Sequence, residues 1–268
     1  MLPLYLCPKC KKTLYTSDKS YVCENKHSYD IASEGYVNLF SGKIQGGDSK
    51  EMCRARRDFL AEQYYAPLAD KLSEIVKRIE AQSIVDMGCG EGFYDRQILK
   101  ETNATVCGID LSKEAVRLAA KAGKREEENK SKFCVASIFE MPFADNSFDA
   151  ALSVFAPVPY EEARRVLKKN GKMIVVTPGK NHLDGLKAAV YENPYDNDEK
   201  QKLYDGFSVS EIYRVNSKIT VYGNNISNLF LMTPYYWKTS ESDAAKLKLL
   251  DKLTTSIDFI VTVYTKNE

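Results

Sequence analysis

The sequence predicts an α/β protein in which an open, Rossmann-like sheet follows a small metal-binding module. The sheet is predicted by residues 83–92, SIVDMGCGEG, where a short apolar strand runs directly into a turn with glycine at every second position. Residues 93–99 then have the pattern of a helix. A strand, a glycine turn and a helix in succession form the nucleotide-binding corner of such sheets, because glycine permits a sharp turn and a close ligand. The module is predicted by three cysteines and a histidine, spaced as metal ligands near the N-terminus.

Composition limits the classes to which the chain can belong. Its 268 residues allow one large or two modest domains, and 44% hydrophobic residues can fill a sizeable core. A net charge of +1 excludes a uniformly basic nucleic-acid binder, so any RNA-binding surface must be local. No apolar run approaches the roughly 18 residues of a membrane span. The start of the chain lacks the apolar core of a signal peptide and the seven cysteines are an odd number, which favours a cytoplasmic protein without disulfides.

Residues 1–40 are predicted to form the metal-binding module. The pattern C-x2-C-x12-C-x3-H matches a closed tetrahedral zinc site, with 13–15 and 20–22 as the strands of a hairpin between the two ligand pairs. Four protein ligands leave no position for water, so the zinc is expected to be structural. The alternative, a redox Cys-x-x-Cys, requires a nearby βαβ pattern that the sequence lacks. The predicted ligands are Cys7, Cys10, Cys23 and His27.

The module is also locally basic. Up to His27 it has five lysines and two acidic residues, with Tyr15 and Tyr21 among them. Basic residues mixed with aromatics suit RNA contact, which makes Lys9, Lys11 and Lys12 candidates. A solvated surface of the module explains the same charges equally well.

Residues 41–82 are predicted to connect the module to the cofactor domain. Residues 41–50 are rich in Gly, Ser and Asp and are expected to form a flexible loop. A helix over 50–62 has three arginines, Arg54, Arg56 and Arg57, which are candidates for RNA phosphates. The alternative is an exposed helix face on which these arginines pair with nearby acids. A second helix over 65–79 has apolar residues at core-facing spacing.

Residues 83–268 are predicted to form the cofactor domain. The turn has the pattern D-x-G-x-G-x-G, which differs from the dinucleotide fingerprint and resembles motif I of the S-adenosylmethionine-dependent methyltransferases. The resemblance implies that Asp86 steers the loop or the amino group of the cofactor. Asp110, at the end of the next apolar run, suits the two ribose hydroxyls of an adenosine. The alternative is a tight βα turn in another Rossmann-like protein. The candidates here are Asp86, Gly88, Gly90, Glu91, Gly92, Asp110 and Leu111.

Further strands are predicted over 133–136, 150–154 and 173–177, with turns between them. A final antiparallel edge strand is predicted over 259–264, and 219–222 and 229–232 are predicted as strands or buried segments. Many methyltransferases have an acid two residues after the third strand, against the adenine amino group. Ser137 stands there instead, with Ile138 beside it, and both are kept as cofactor candidates. The polar, tyrosine-rich segment before Phe207 is assigned no element.

Residues 28–40, SYDIASEGYVNLF, indicate one particular family of methyltransferases. A zinc knuckle, this segment and a methyltransferase domain in succession resemble the 23S ribosomal RNA guanine-N1 methyltransferases. The resemblance implies methylation of a guanine in a hairpin loop of the peptide exit tunnel, with S-adenosylmethionine as cofactor; some members confer resistance to macrolides such as tylosin. It also implies a homodimer. The alternative is that these residues only dock the knuckle on the next domain.

The same resemblance implies roles for residues outside the glycine turn. A tyrosine matching Tyr65 reaches the cofactor, and His182 lies in a T-P-G-x-x-H-L box at the catalytic edge. Phe155 and Pro157 follow the fourth strand, where nitrogen methyltransferases orient a planar base, so Phe155 is expected to pack on the cofactor or stack on the base. A capped core strand and an ordinary histidine are the alternatives. No proton acceptor is assigned.

Three other functions remain open at this point. The first is a small-molecule methyltransferase with a structural zinc knuckle, which differs only in its partner. The second is an RNA-binding module with a decayed Rossmann domain, disfavoured by the intact glycine turn and Asp110. The third is a nicotinamide-dependent enzyme, disfavoured by the glycine spacing.

Overall fold

A computed structural model describes residues 4–42, 48–126 and 130–267. Part of the predicted loop over 41–50 and residues 127–129 lie outside these ranges. The strands are β1 (Leu14–Ser17), β2 (Ser20–Cys23), β3 (Ser28–Asp30), β4 (Val37–Asn38), β5 (Ser83–Met87), β6 (Thr105–Asp110), β7 (Ser131–Val135), β8 (Phe148–Val154), β9 (Leu167–Pro178), β10 (Phe207–Tyr222) and β11 (Lys252–Lys266). The helices are α1 (Lys50–Ala61), α2 (Ala66–Arg78), α3 (Phe93–Glu101), α4 (Lys113–Glu126), α5 (Tyr160–Val166), α6 (Asp184–Val190), α7 (Asn224–Leu231), α8 (Glu241–Leu247) and a 3₁₀ helix, Pro234–Lys238.

The main sheet has eight strands in the order β10-β11-β9-β8-β5-β6-β7-β4. Strands from β4 to β9 pair in parallel, whereas β11 is antiparallel to both β9 and β10. The chain order reverses at β5, which lies between β6 and β8, so a crevice forms at the carboxyl ends of these strands. This is the predicted Rossmann-like architecture, and it places the glycine turn at the crevice.

The prediction that 259–264 form the edge strand is wrong. This segment lies in β11, which is covered on one side by β9 and on the other by β10. The edge strand is β10, of which only 219–222 was predicted. Its side chains alternate between exposed and partly buried positions over most of its length, so no apolar run marks it in the sequence.

Two faces of the sheet bury different partners, because successive side chains of a strand point to opposite sides. On one face, α2 and α3 pack on Ile84 and Val106, and α7 joins the same cluster. Helix α2 buries its predicted apolar residues, Leu68 and Leu72 among them. The segment predicted as a strand or buried run over 229–232 is buried, mostly as the end of α7. These helices therefore cover one face of the sheet.

The other face buries residues of the N-terminal module together with residues of α5. Tyr5 and Leu14 belong to the same buried cluster as Val85 and Met87 of β5. Strand β4 extends the sheet by pairing with β7, and Val37 within it is buried. The segment resembling the ribosomal RNA enzymes therefore joins the module to the sheet, as its docking alternative proposed.

None of the helices in the ranges described is both long and apolar enough to cross a membrane.

Candidate metal centre and cofactor site

Four side chains converge beside the N-terminal hairpin. Cys7 and Cys10 lie before β1, Cys23 ends β2, and His27 lies in the turn that leads to β3. One ligand atom from each residue lies within 4.8 Å of all the others. These are the four predicted ligands, and the fold brings all of them together.

Their distances match the edges of a tetrahedron around zinc. Cys10 Sγ and Cys23 Sγ are 3.7 Å apart, and His27 Nδ1 lies 3.4 Å from Cys7 Sγ and 3.5 Å from Cys23 Sγ. With Zn–S bonds of about 2.3 Å and Zn–N bonds of about 2.0 Å, tetrahedral edges are about 3.8 Å between sulfurs and about 3.5 Å between sulfur and nitrogen. The donor set therefore fits a structural zinc, with His27 binding through Nδ1.

Tyr29 supports this centre from β3. Its hydroxyl lies 3.3 Å from Cys7 Sγ. Burial acts to raise the pKa of the Cys7 thiol, but the Tyr29 hydroxyl and the backbone N–H groups of Cys10 and Lys9 lower it to about 6. Such a thiol is largely a thiolate at neutral pH, and the thiolate is the form that binds zinc.

The glycine turn between β5 and α3 has the backbone that its sequence predicts. Gly88, Gly90 and Gly92 have φ values of 92°, 55° and 75°, in the region that side chains disfavour. A Cβ on Gly88 would lie 2.7 Å from Ala156 Cβ, just past β8, whereas the nearest atom in front of Gly90 is Arg56 Nη1 at 3.9 Å. The turn therefore presents bare backbone at the edge where ligands bind in such sheets.

The Asp110 carboxylate holds two loops beside this turn. Its Oδ2 accepts a hydrogen bond from the Gly90 N–H at 3.0 Å, and its Oδ1 accepts one from the Ser112 N–H at 2.8 Å. Burial raises the pKa of Asp110, and these two hydrogen bonds oppose the shift. A carboxylate at the end of the strand next to the glycine turn suits two ribose hydroxyls.

A second buried acid, which the sequence analysis did not single out, lies beside Asp86. Asp86 is 2% exposed and Asp95, in the first turn of α3, is 0% exposed. Asp86 Oδ1 and both Asp95 carboxylate oxygens have no hydrogen-bond partner among the described residues. Burial raises the pKa of both carboxyls, that of Asp95 to about 7, and the neighbouring Asp95 raises that of Asp86 further. The pair therefore retains a proton at neutral pH.

This retained proton predicts a pH dependence of stability. The folded protein holds a proton that the unfolded chain releases above about pH 4, so stability falls as the pH rises from about 4 to about 7. We expect Asp95→Asn to melt at a higher temperature than the wild type at about pH 8, and this difference to be clearly smaller at about pH 5. Thermal unfolding without cofactor, followed by circular dichroism, measures both values.

The control is Asp251→Asn, which changes an exposed acid just before β11 and should follow the wild-type pH profile. The charges that act on Asp95 are those of an ion pair, Arg96 with Glu91, and Asp110 acts on Asp86; both proteins keep all three. If Asp95→Asn and the wild type show the same change in melting temperature between the two pH values, the pair does not retain a proton at neutral pH.

Glu91 was predicted to bind the cofactor, but its side chain is engaged within the protein. Arg96 Nη2 lies 3.0 Å from Glu91 Oε2, and Arg96 Nη1 donates to the Glu91 carbonyl at 2.7 Å. Both side chains are largely buried. The pair fixes the turn between Gly90 and Gly92, and the role of Glu91 toward a cofactor stays a prediction.

Four aromatic rings gather at the carboxyl ends of β8 and β9. Phe155 stacks on His182 with centroids 5.8 Å apart, and Phe259 lies 4.9 Å from His182 and 5.0 Å from Tyr65. The fold thus brings together Tyr65, Phe155 and His182, which the sequence predicted for one pocket. Phe155 is 45% exposed and has a φ of 55°, which is the kind of strained backbone that clusters at functional sites.

His182 is neutral in this cluster. Burial lowers the pKa of its ring to about 3, although the nearby Asp258 acts to raise it. Its Nδ1 accepts a hydrogen bond from the Asp258 N–H at 3.3 Å, which assigns the ring proton to Nε2. His182 is therefore suited to hold Phe155 and to donate one hydrogen bond, and not to carry a charge.

The remaining cofactor candidates follow the next two strands. Leu111 comes directly after Asp110 and is half-buried, and Ile138 is buried shortly after β7. Ser137 Oγ accepts a hydrogen bond from the Phe139 N–H at 3.2 Å. Phe139 itself is 63% exposed, an aromatic that the sequence analysis missed because nothing in its spacing marks it. These residues lie where the adenine side of the crevice is expected.

The lysines predicted to contact RNA are all on the surface of the module. Lys9, Lys11 and Lys12 are exposed. Lys11 pairs with Glu140 of the cofactor domain, and Lys12 lies 2.9 Å from Glu24. Pro157, predicted to position a base, is exposed two residues after Phe155.

The three arginines of α1 do not share one surface. Arg54 and Arg57 are exposed, 3.7 Å from Glu114 and 2.7 Å from Asp58 respectively. Arg56 instead turns toward the glycine turn, where it pairs with Asp48.

Comparison with known families assigns both parts of the chain. A family model described as "Methyltransferase domain" matches residues 80–229, which is more than half of the chain. A second, described as "RlmA, N-terminal", matches residues 5–43, the module with the four metal ligands.

Relatives and solved structures agree with this assignment. A protein of Streptomyces fradiae named 23S rRNA (guanine(748)-N(1))-methyltransferase is 30% identical over 270 residues, covering 95% of each chain. A Bacillus subtilis protein, named as a candidate 23S rRNA (guanine-N(1)-)-methyltransferase, is 28% identical over 96% of each chain. A crystal structure described as a candidate sarcosine dimethylglycine methyltransferase from Galdieria sulphuraria superposes with a TM-score of 0.50 at 13% identity, covering 77% of this chain and 88% of that one. At that identity the structural likeness shows the fold alone.

Proposed function

Because the chain belongs to the family of 23S ribosomal RNA guanine-N1 methyltransferases, we propose that it transfers a methyl group from S-adenosylmethionine to N1 of a guanine in that RNA. The observation that carries the proposal is the coverage of the Streptomyces fradiae relative, which spans module and cofactor domain together. The assembled metal centre and the bare glycine turn support it from the geometry. A small-molecule methyltransferase would share the cofactor domain, but its function would not explain an N-terminal module that matches the ribosomal RNA enzymes.

The cofactor half of the site is supplied by the glycine turn and the neighbouring strand ends. S-adenosylmethionine supplies a sulfonium whose methyl group is already activated for transfer. Asp110 would receive the ribose hydroxyls, and the backbone at Gly88 and Gly90 would receive the methionine part. Asp86 would face its amino group: Asp86 Oδ1 has no hydrogen-bond partner among the described residues, and an arriving ammonium group would favour loss of the proton that the acid pair holds without cofactor.

The base half of the site is proposed at the aromatic rings. Guanine N1 lies on the Watson–Crick edge, which is reachable only in an unpaired or flipped-out nucleotide. Phe155 is half-exposed and held from behind by His182, so it can stack on a planar base while Pro157 bounds the same edge. Holding N1 in line with the methyl group at about 3 Å supplies much of the acceleration. The proton on N1 leaves as the methyl arrives, and no side chain is assigned to accept it.

The RNA itself is proposed to lie across the module and the crevice. Among the module's candidates, Lys9 is exposed, and Tyr15 on β1 is 59% exposed and can stack on an unpaired base. The proposed target is a hairpin loop of the peptide exit tunnel region, and the resulting methyl group is proposed to contribute to resistance against tylosin-type macrolides. A cytoplasmic location, where ribosomal RNA is found, and a homodimer complete the proposal; both rest on the family resemblance.

We expect the methylated guanine to be visible as a stop in reverse transcription, because a methyl group on N1 blocks Watson–Crick pairing. Total RNA from wild-type and deletion strains is compared by primer extension, and the position is confirmed by mass spectrometry of the RNA fragment. The stop should disappear in the deletion strain and return with the wild-type gene. It should not return with Asp110→Ala. A stop that persists in the deletion strain would show that another enzyme makes this modification.

A further inference from the structure

Arg56 differs from the two arginines that flank it on α1. Its side chain is 27% exposed, against 58% for Arg54 and 44% for Arg57. Successive residues of a helix are about 100° apart, so three closely spaced arginines cannot all face one surface. Arg56 is the one directed at the glycine turn, with Nη1 3.9 Å from the position that a Cβ would take on Gly90. The grouping of Arg56 with the RNA candidates therefore has no geometric support.

The guanidinium of Arg56 lies beside Gly90 of the glycine turn. Its positive charge acts to lower the pKa of Asp110 on the ribose side and that of Tyr65 on the strand-end side, although burial raises both. In the proposed function, the glycine turn receives the amino-acid part of the cofactor.

The amino-acid part of S-adenosylmethionine has two charges to match. The buried acids Asp86 and Asp95 offer partners for the ammonium group. Two arginines approach the turn within the described part of the chain, Arg56 at Gly90 and Arg96 at Gly92. Arg96 is bound to Glu91 by two hydrogen bonds and is buried with it. Arg56 is bound instead to Asp48, whose side chain is 25% exposed and precedes the N-cap residue of α1.

We propose that Arg56 is a cofactor-binding residue that takes the α-carboxylate of S-adenosylmethionine, and that Asp48 holds the same guanidinium until the cofactor displaces it. The inference rests on the proposed function for the identity of the cofactor. Exchange of one carboxylate for another keeps the partly buried guanidinium paired throughout, which avoids the cost of an unpaired charge. A guanidinium also holds a carboxylate in a fixed orientation through two parallel hydrogen bonds. Asp48 is therefore a competitor of the cofactor.

If Asp48 competes with the cofactor, changing the two partners of the Arg56–Asp48 ion pair should have opposite effects on cofactor binding. Removing Arg56 should weaken binding of any ligand with the carboxylate, whereas removing the Asp48 charge should strengthen it. An ion pair that only stabilised the start of α1 would weaken binding in both variants. A truncated ligand shows which part of the cofactor Arg56 contacts. Methylthioadenosine keeps the adenosine and the sulfur but lacks the entire amino-acid part, so its binding should not depend on Arg56.

The test is calorimetry on the full-length, zinc-loaded protein without RNA, with S-adenosylhomocysteine and methylthioadenosine as ligands. We expect Arg56→Gln to lose about 10- to 100-fold in affinity for S-adenosylhomocysteine, the value of one charged hydrogen-bonded contact, and to keep its affinity for methylthioadenosine. Asp48→Asn should bind S-adenosylhomocysteine a few-fold more tightly than the wild type. Arg54→Gln and Arg57→Gln, on the same helix, should bind both ligands as the wild type does.

Each other outcome has a defined meaning. Equal loss for both ligands in Arg56→Gln, or no loss for either, overturns the proposal, and so does weaker binding by Asp48→Asn. Circular dichroism of each variant shows whether a loss arises from unfolding; the Asp48→Asn result decides the matter if Arg56→Gln does not fold. A wild-type protein that binds neither ligand would instead refute the proposed function, and this inference with it.

Discussion

Replacing Cys23 with serine is expected to abolish zinc binding and to unfold the N-terminal module. Structural zinc contributes about 10–16 kcal/mol to the folding of small sites, and a module this short has too little core of its own to replace it. Unfolding would also remove Tyr5 and Leu14 from Val85 and Met87, which exposes one face of the main sheet. We therefore expect the melting temperature of the whole chain to fall by at least about 10 °C. Zinc content by mass spectrometry and thermal unfolding measure the two effects.

Cys53→Ser provides a matched control, because Cys53 is also a buried cysteine but lies on α1, 3.4 Å from Ser112 Oγ and outside the metal centre. It should retain its zinc. A Cys23→Ser protein that keeps a full complement of zinc, or that melts as the wild type does, would contradict the assignment of Cys23 as a ligand that folds the module.

Replacing Asp110 with alanine is expected to weaken binding of S-adenosylhomocysteine by about 100-fold or more, because two charge-assisted hydrogen bonds to the ribose would be lost, each worth about 1.5–3 kcal/mol. The same change removes the acceptor for the Gly90 and Ser112 N–H groups, which loosens the glycine turn. Methylthioadenosine, which keeps the ribose, should lose affinity to a similar degree. This distinguishes Asp110 from Arg56, whose effect should depend on the amino-acid part of the ligand. Calorimetry on the purified variant measures both affinities.

Asp70→Asn is the control, because Asp70 is an exposed acid on α2 and takes no part in the crevice. It should bind both ligands with wild-type affinity. If Asp110→Ala binds methylthioadenosine as tightly as the wild type does, Asp110 does not hold the ribose and the cofactor must lie elsewhere in the crevice.

Sequence reasoning correctly predicted the features that depend only on residues close together in the chain. The spacing of Cys7 and Cys10, and of Cys23 and His27, forms two ligand pairs whose meeting needs only a hairpin. The conformation of Gly88 and its neighbours follows from the glycine spacing itself. Strands β5 to β8 are buried on both faces, so their apolar runs are visible without knowledge of the fold.

The features that it missed depend on contacts between distant segments. Strand β10 is half-exposed and has no apolar run, so only its pairing with β11 reveals it. Asp95 gave a weak local signal, and its importance comes from lying next to Asp86. Arg56 was grouped with Arg54 and Arg57 because the three are close in sequence, whereas the orientation of α1 over the crevice directs it to Gly90.

The sequence by itself determined the groups available to this protein: a set of four metal ligands, a glycine turn and an acid at the end of the next strand, each encoded by local spacing. Only the tertiary structure decided which charged groups share the crevice, because that depends on how helices and strands far apart in the chain pack together. The physical reason is that backbone geometry is set over a few residues, whereas burial and electrostatic pairing are set by the whole fold.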